Sequence, residues 1–139
     1  MKEFVTIEKN EQLTNIVLKK SIEITDIYKK CNFRKKDNFS KRHTWKVSEK
    51  VYVSLYSRNE GRAGTENKYE LPPPIDKELY FGTMAVIKHS EEEINNNNIL
   101  TLNKTEWKKI YEALMGGFED LDETDESSEE EEIPKKFQT

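Results

Sequence analysis

Apolar and polar side chains alternate along several short stretches of the chain, and this period of two predicts β-strands. FVTIE (residues 4–8) predicts the first strand, and LYFGTMAVIK (79–88) is the most strand-like run in the sequence. Gly82 lies inside that run and predicts a bulge or a close approach of another group to the backbone. ILTL (99–102) predicts one more short strand. LTNIVLKK (13–20) fits either a strand or one face of a helix, and we favour the strand.

HTWKV (43–47) and VYVSLYS (51–57) are separated by three polar residues, which predicts an antiparallel hairpin. In the second of these strands, Val51, Val53 and Leu55 fall on one face, and aromatic or hydroxyl side chains fall on the other. We therefore expect one buried aliphatic face and a second face that carries aromatic rings.

Two segments repeat apolar side chains at the spacing of a helix, which places them on one stripe. The first segment, residues 22–31, has the stripe Ile24, Ile27, Tyr28 and Cys31. The second follows Asn103, which together with Glu106 has the spacing of a capping box. Its stripe is Trp107, Ile110, Tyr111 and Leu114. The pair Gly116–Gly117 then predicts the end of this helix.

These elements predict an α+β fold with a mostly antiparallel sheet of about five or six strands and two short amphipathic helices on one face of it. Residues 58–78 form a long segment without periodicity, and Pro72–Pro74 make its second half an extended strap. We expect residues 1–118 to form one domain and residues 119–139 to form a separate acidic tail.

Charge is distributed unevenly between these two parts. Residues 1–118 hold 21 basic and 17 acidic side chains, a net charge of +4, whereas residues 119–132 hold ten acids and no base. The ten acids are Glu119, Asp120, Asp122, Glu123, Asp125, Glu126, Glu129, Glu130, Glu131 and Glu132. Apolar residues nearly vanish from Glu119 onward, so we expect this tail to be disordered. Ser127 and Ser128 precede four glutamates and are candidate sites for an acid-directed kinase, whose phosphates would add negative charge.

The strongest local signal for binding is the basic segment, residues 29–46, which holds eight Lys or Arg residues against one Asp. Phe33, Phe39 and Trp45 are interleaved with these cations, and exposed Tyr52 and Tyr56 would extend the same surface. Cations neutralise phosphates and aromatic rings stack on unpaired bases, so this composition favours a single-strand binder. The candidate nucleic-acid-binding residues are Lys29, Lys30, Arg34, Lys35, Lys36, Lys41, Arg42, Trp45, Lys46, Arg58 and Arg62. The alternatives are an ordinary solvated surface and a basic docking surface for a protein.

Most enzyme classes are not expected from this sequence. It has one cysteine and two histidines, His43 and His89, in different segments, which is a poor set of zinc ligands. Cys31 with His43 is the only nucleophile–base pair to consider, and the helical stripe favours Cys31 as a core residue. Acidic runs in solvent do not separate the pKa values of paired carboxylates, as acid–base catalysis requires. We therefore predict a protein that is not an enzyme and that needs no cofactor or metal.

Three stretches resemble a known set of proteins. ENKYELPPPIDKELYFG (66–82), EWKKIYEALMGGFEDLD (106–122) and YKKCNFRKKDNF (28–39) with the HTWKV that follows are similar to segments of small uncharacterised proteins of nucleocytoplasmic large DNA viruses, the mimivirus-like and algal giant viruses. The likeness spans roughly residues 24–126. It implies a viral origin and expression in an infected cell, and it contributes no catalytic residue.

Two hypotheses for function follow. In the first, a viral accessory protein binds RNA or single-stranded DNA through the basic segment, and the acidic tail moderates that binding. In the second, the chain is a protein–protein adaptor or structural component of the viral factory or virion, and residues 58–78 and the tail meet a basic viral or host protein. Both place the protein inside the infected cell, because no apolar run is long enough to span a membrane and MKEFVTIEKN lacks the core of a secretion signal.

Overall fold

The computed structural model describes residues 2–18 and 23–116, which form one antiparallel β-sheet with two helices. The strands are β1 (Lys2–Ile7), β2 (Leu13–Leu18), β3 (Ser40–Ser48), β4 (Val51–Arg58), β5 (Glu66–Asn67), β6 (Tyr80–His89) and β7 (Ile99–Leu100). A 3₁₀ turn at Ile24–Asp26 leads into α1 (Ile27–Lys30), and α2 spans Lys104–Gly116. The α+β class, the hairpin of β3 and β4, and the strand favoured at residues 13–20 are all confirmed.

β6 is the central strand of the sheet, whose order is β2-β1-β6-β4-β3. Along one edge β6 pairs with β4, and along the other it pairs with β5, β1 and β7 at successive positions. Phe81 lies where these pairings begin, because it is paired with Arg58 of β4 and with Glu66 of β5. The register between β4 and β6 slips beside Gly82, whose φ is +77°. The bulge predicted from this glycine is therefore confirmed.

The sheet is covered on both faces, and the two helices lie on opposite faces. The α2 face buries Val5, Ile7, Trp45, Val53, Leu55, Met84, Val86, Trp107 and Ile110. The α1 face buries Phe4, Leu18, Ile27, Cys31, Tyr56, Ala85 and Ile87. The prediction that both helices pack on one face is wrong, because β6 contributes apolar side chains to both clusters and a strand of this kind needs cover on each side.

The proline-rich half of the long loop packs on the α2 face. The buried residues in it are Leu71, Pro72 and Ile75. Trp45 Nε1 donates a hydrogen bond of 2.8 Å to the carbonyl of Pro73, and the Tyr111 hydroxyl donates one of 2.6 Å to the carbonyl of Glu70. The strap is therefore part of the core, and only its exposed residues between these anchors remain available for contact with another molecule.

The predicted capping box of α2 is half formed. The Asn103 Oδ1 accepts a hydrogen bond of 2.9 Å from the Glu106 backbone N–H, as an N-cap side chain should. The Glu106 carboxylate does not return the bond to Asn103. It lies 2.6 Å from Lys88 Nζ on β6, so it ties the first turn of the helix to the sheet.

The asparagine run at residues 95–98 closes the loop that follows β6. The Asn98 side chain donates to the carbonyl of Glu93 at 2.9 Å and accepts from the Asn95 backbone N–H at 3.0 Å. The Asn96 Oδ1 accepts from the Ile24 backbone N–H at 2.8 Å, which ties this loop to the turn that precedes α1. The side-chain amides of this run therefore bind backbone groups, and they hold in place the loop and the turn that cover the α1 face.

The acidic tail lies outside the described residues, and so do its ten carboxylates and the candidate phosphorylation sites Ser127 and Ser128. Gly117, the second of the two glycines predicted to end α2, also lies outside them. None of the helices that are described combines the length and apolar character needed to cross a membrane.

Candidate functional site

The loop at residues 32–39, which we call the basic loop, is held against the end of β4. The Asn38 Oδ1 accepts hydrogen bonds from the backbone N–H groups of Asn59 at 2.7 Å and Glu60 at 3.0 Å. Arg58 Nη2 donates to the carbonyl of Lys35 at 2.7 Å. These bonds hold the backbone while the side chains of residues 34–36 stay exposed, so Arg34, Lys35 and Lys36 project from the end of the sheet that carries Arg58.

Arg58 is stacked on an aromatic ring. Its guanidinium carbon lies 3.9 Å from the centroid of the Phe33 ring, a cation–π contact. The tip of the same ring meets the backbone at Gly82, where an added Cβ would lie 2.7 Å from Phe33 Cζ. The Arg58 Nε is buried, and no described residue accepts a hydrogen bond from it. The bulge in β6 therefore makes room for Phe33, and Phe33 fixes the plane of the guanidinium.

A pocket of about 450 Å³ opens beside this stack, and we call it the cationic pocket. Its lining residues are Lys9, Cys31, Asn32, Phe33, Arg58, Glu60, Gly61, Arg62, Thr65, Phe81, Gly82 and Thr83. Three of them are cations and one is a carboxylate, and the volume lies in the range typical of small-molecule sites. Among the described residues, no carboxylate is within ion-pair distance of Lys9, Arg58 or Arg62. The lining described here therefore combines an excess of positive charge with two aromatic walls.

Asn67 fixes the backbone around this pocket. Its buried side-chain amide donates to the carbonyls of Ile7 at 3.0 Å and Gly82 at 2.8 Å, and its Oδ1 accepts from the Tyr69 backbone N–H at 3.1 Å. One side chain thus joins the end of β1, the bulge in β6 and the start of the strap. This arrangement brings Lys9, just beyond β1, to the same end of the sheet as the arginines.

Cys31 lines the pocket as a thiol and not as a nucleophile. Burial, and secondarily the negative charge of Glu8, raises the pKa of Cys31 to about 12. The side chain also belongs to the α1 face, whereas His43 packs edge-on against Trp45 of the α2 face, with ring centroids 5.0 Å apart. The two residues considered from the sequence as a nucleophile–base pair therefore lie on opposite faces of the sheet.

Two of the three rings considered for an aromatic platform on the hairpin, Trp45 and Tyr56, are covered, and the third, Tyr52, is half-buried and stacks on His89 with ring centroids 5.9 Å apart. Trp45 is 5% exposed and packs against Trp107 of α2, with ring centroids 6.5 Å apart. Tyr56 is 7% exposed and stacks on Phe39 of the loop that covers the α1 face. Neither ring can stack on a base, and Trp45 leaves the set of candidate binding residues.

The other cations of the predicted set do not share one site. Lys41 Nζ pairs with Glu93 at 3.3 Å, and Lys29 Nζ lies 3.8 Å from Asp26. Arg42 donates from Nε to the carbonyl of Ser57 at 3.1 Å, so it holds the backbone. Lys46 lies opposite Tyr52 in the strand register, at the far end of the hairpin. At about 3.3 Å per residue, it is about 20 Å along β3 from Ser40. Lys30 is exposed at the last turn of α1.

Sequence reasoning found Arg58 and Arg62 but missed Lys9 and Phe81 as members of the same site. Lys9 is far from both arginines along the chain, and only the pairing of β1 with β6 joins them. Gly82 was the available signal, since it indicated that some group approaches the backbone there. The sequence does not say that this group is the Phe33 ring.

A buried polar chain crosses the other end of the sheet. Ser54 Oγ lies 2.7 Å from Thr44 Oγ1 and 2.7 Å from His89 Nε2, and His89 Nδ1 donates to the carbonyl of Glu91 at 2.6 Å. A serine bonded to a histidine is the arrangement of a nucleophile and its base. Ser54 and His89 are each 0% exposed, however, so a substrate cannot reach them, and the chain satisfies buried polar groups.

This buried histidine should make stability depend on pH. Burial has the largest effect on the pKa of His89 and lowers it below its ordinary value. The positive charge of Lys41 also lowers this pKa, whereas the bond to the Glu91 carbonyl and the negative charge of Glu93 raise it. The unfolded chain therefore takes up the proton at a higher pH than the folded protein, and the free energy of unfolding should fall as the pH drops below about 6.5. Urea denaturation at several pH values between 7.5 and 5 measures the fall.

His89→Gln should reduce that fall, and His43→Gln is the matched control. Burial also lowers the pKa of His43, but this ring is partly exposed and forms no comparable chain of hydrogen bonds with the described residues. An unchanged pH dependence in the His89 variant would show that other groups are responsible.

Comparison of the chain with protein-family models, with curated proteins and with solved structures finds no match. The cationic pocket and the basic loop are therefore the features from which a function is inferred.

Proposed function

We propose that this chain is a non-enzymatic accessory protein that binds RNA or single-stranded DNA through the basic loop and the cationic pocket. The observation that supports it most is the Arg58–Phe33 stack, because it holds the exposed cations of the basic loop beside a pocket walled by Phe33 and Phe81. Phosphates would be neutralised by Lys35, Lys36 and the arginines, and unpaired bases would meet the aromatic wall.

The geometry favours a single strand over a duplex. Readout of duplex DNA in the major groove needs a helix or a two-stranded ribbon that fits the groove. The cations at this end of the sheet come from loops and strand ends, and α1, the nearest helix, is one turn long. A flexible strand can follow such a surface and turn a base into the pocket, whereas the bases of a duplex are stacked inside it.

The acidic tail and the viral setting belong to the same proposal. Ten carboxylates on a chain whose residues 1–118 carry a net charge of +4 would compete with phosphates for the cations, so the tail would limit weak non-specific binding. The resemblance to small proteins of giant viruses suggests that the protein acts in an infected cell, in the viral factory or the virion.

The proposal predicts salt-dependent binding of the full chain to a single-stranded oligonucleotide, measured by fluorescence anisotropy between 50 and 200 mM salt. Replacing both Lys35 and Lys36 with alanine removes two phosphate contacts, so the slope of log affinity against log salt should become shallower by about 1.4. Deleting residues 119–139 should tighten binding.

The matched control replaces two exposed lysines elsewhere, Lys46 of β3 and Lys108 of α2, and thus removes the same charge. It should keep a steeper slope than the Lys35/Lys36 variant. Equal slopes for the two variants would mean that only net charge matters, and no binding at 50 mM by either the full or the tail-deleted chain would reject the proposal.

The covered rings support a second candidate, a protein–protein adaptor. Of the two strands that end the order β2-β1-β6-β4-β3, β3 carries cations and two register shifts, which discourage pairing with another strand. β2 pairs with β1 in one unbroken register, has no charged residue and exposes 43% of Val17. An extended segment of a partner protein would add to this edge. If the binding experiments fail, β2 becomes the surface to test.

A further inference from the structure

We propose that the cationic pocket holds one unpaired nucleotide of the bound strand, with its base against Phe81 and its phosphate on Arg58, Arg62 and Lys9. This inference rests on the proposed function and goes beyond it, because it makes binding depend on a base and not only on phosphate charge. The residues that carry it come from the turn after β1, from β4 and β6, and from the loop after β4, and none is merely one of a run of surface lysines.

Phe81 is the ring available for a base. One part of it is already covered, since an added Cβ at Gly61 would lie 2.8 Å from Phe81 Cβ and Cδ2. The side chain is still partly exposed and lines the pocket. Phe33, by contrast, has its face under the Arg58 guanidinium and its tip against Gly82. The two phenylalanines therefore have different tasks: Phe33 positions the cation and Phe81 offers an apolar surface.

The cationic side is organised before any ligand arrives. Arg58 is fixed by its stack on Phe33 and by its bond to the Lys35 carbonyl, and its planar fork is suited to phosphate oxygens. Arg62 is exposed in the turn that ends at Thr65, whose backbone N–H donates to the Arg62 carbonyl at 3.0 Å. Glu60 is the single carboxylate among the described residues of the lining, and it leaves an excess of two positive charges among them.

The position of the pocket also fits a longer strand. It opens beside the basic loop, since the carbonyl of Lys35 is bonded to Arg58 and Asn32 and Phe33 line the pocket. A strand with one nucleotide in the pocket would continue over Lys35 and Lys36, where its next phosphates meet ammonium groups that pair with no carboxylate among the described residues.

The test uses the full chain, a short single-stranded oligonucleotide of mixed sequence, and two variants that separate stacking from charge. Phe81→Leu keeps an apolar residue in β6 but removes the aromatic face, so affinity should fall by about 5- to 150-fold, the range expected for one stacked base, with the salt slope unchanged. Arg62→Gln should make the slope shallower by about 0.7, the value for one phosphate contact. Thermal melting of each variant confirms that it is folded.

A second measurement does not depend on a variant. Irradiation of the complex with an oligonucleotide that carries 5-iodouracil joins the base to a ring that it touches, and mass spectrometry of the digest should locate the link on Phe81. Links only to other peptides would overturn the inference, as would a Phe81→Leu variant that is folded and binds like the parent. Either result leaves salt-dependent binding, and hence the proposed function, intact.

Two further outcomes are decisive. If the full and tail-deleted chains do not bind the oligonucleotide at all, the proposed function fails and the nucleotide site fails with it. If a phosphorylated peptide of matched charge displaces the oligonucleotide at equal concentration, the pocket recognises phosphate without a base, and the assignment to a nucleotide is wrong.

Discussion

Replacing Trp107 with alanine is expected to lower the free energy of unfolding by about 3–5 kcal/mol, the usual range for loss of a buried tryptophan. Trp107 is 0% exposed and contacts Trp45 beneath it and Tyr111 one turn along α2, with ring centroids 6.5 and 5.7 Å apart. Its Nε1 also donates to the Tyr69 hydroxyl at 3.2 Å. The truncation therefore opens a cavity where α2, β3 and the strap meet, and urea denaturation measures the loss.

Lys108→Ala is the control for this change, because the next residue along α2 is exposed and its truncation removes no core contact. It should alter stability by no more than about 0.5 kcal/mol, as surface substitutions usually do. A Trp107→Ala loss as small as that of the control would mean that the strap and α2 do not contribute to the cooperative core.

Local pattern made most of the elements predictable. The alternation in residues 51–57 identifies β4 and assigns Val53 and Leu55 to one cluster and Tyr56 to the other, as the structure confirms. The stripe through Trp107 and Ile110 identifies α2 in the same way. These predictions succeed because a period of two or 3.6 states which side chains share a face, and that information is local.

The sequence could not say which face of the sheet each helix covers, because that depends on how strands pair over long distances. One signal was present: residues 84–87 in β6 form an unbroken apolar run, which indicates a strand buried on both faces. The same lack of long-range information explains why the burial of Trp45 was not predicted. Alternation places Trp45 on a face of β3 but does not reveal that α2 covers that face.

The binding site was predictable only in part for a related reason. Composition identified the cations of residues 29–46, but a linear count treats Lys35 and Lys46 alike, although the register of β3 with β4 puts Lys46 at the far end of the hairpin. Whether a cation is free also depends on contacts that the sequence does not contain, such as the pairing of Lys41 with Glu93.

Replacing Gly82 with alanine should lower the free energy of unfolding by about 2–4 kcal/mol, from about 1–2 kcal/mol of left-handed backbone strain and a further cost of overpacking. The φ at this residue is +77°, and the new Cβ would lie 2.7 Å from Phe33 Cζ. The ring cannot simply move aside, because the Arg58 guanidinium covers it and Phe39 lies beside it, with ring centroids 5.7 Å apart. Displacing Phe33 should therefore displace Arg58 and weaken oligonucleotide binding as well.

Gly64→Ala is a matched control for this last prediction. Its φ of +93° imposes a similar backbone strain, but no atom lies within 4 Å of the added Cβ, so the substitution lacks the clash. The difference between the two variants in urea denaturation isolates the contact with Phe33, and only Gly82→Ala should lower affinity. Equal losses of stability and of affinity would show that Phe33 is free to move, in which case the ring does not position Arg58 and the cationic pocket is not organised in advance.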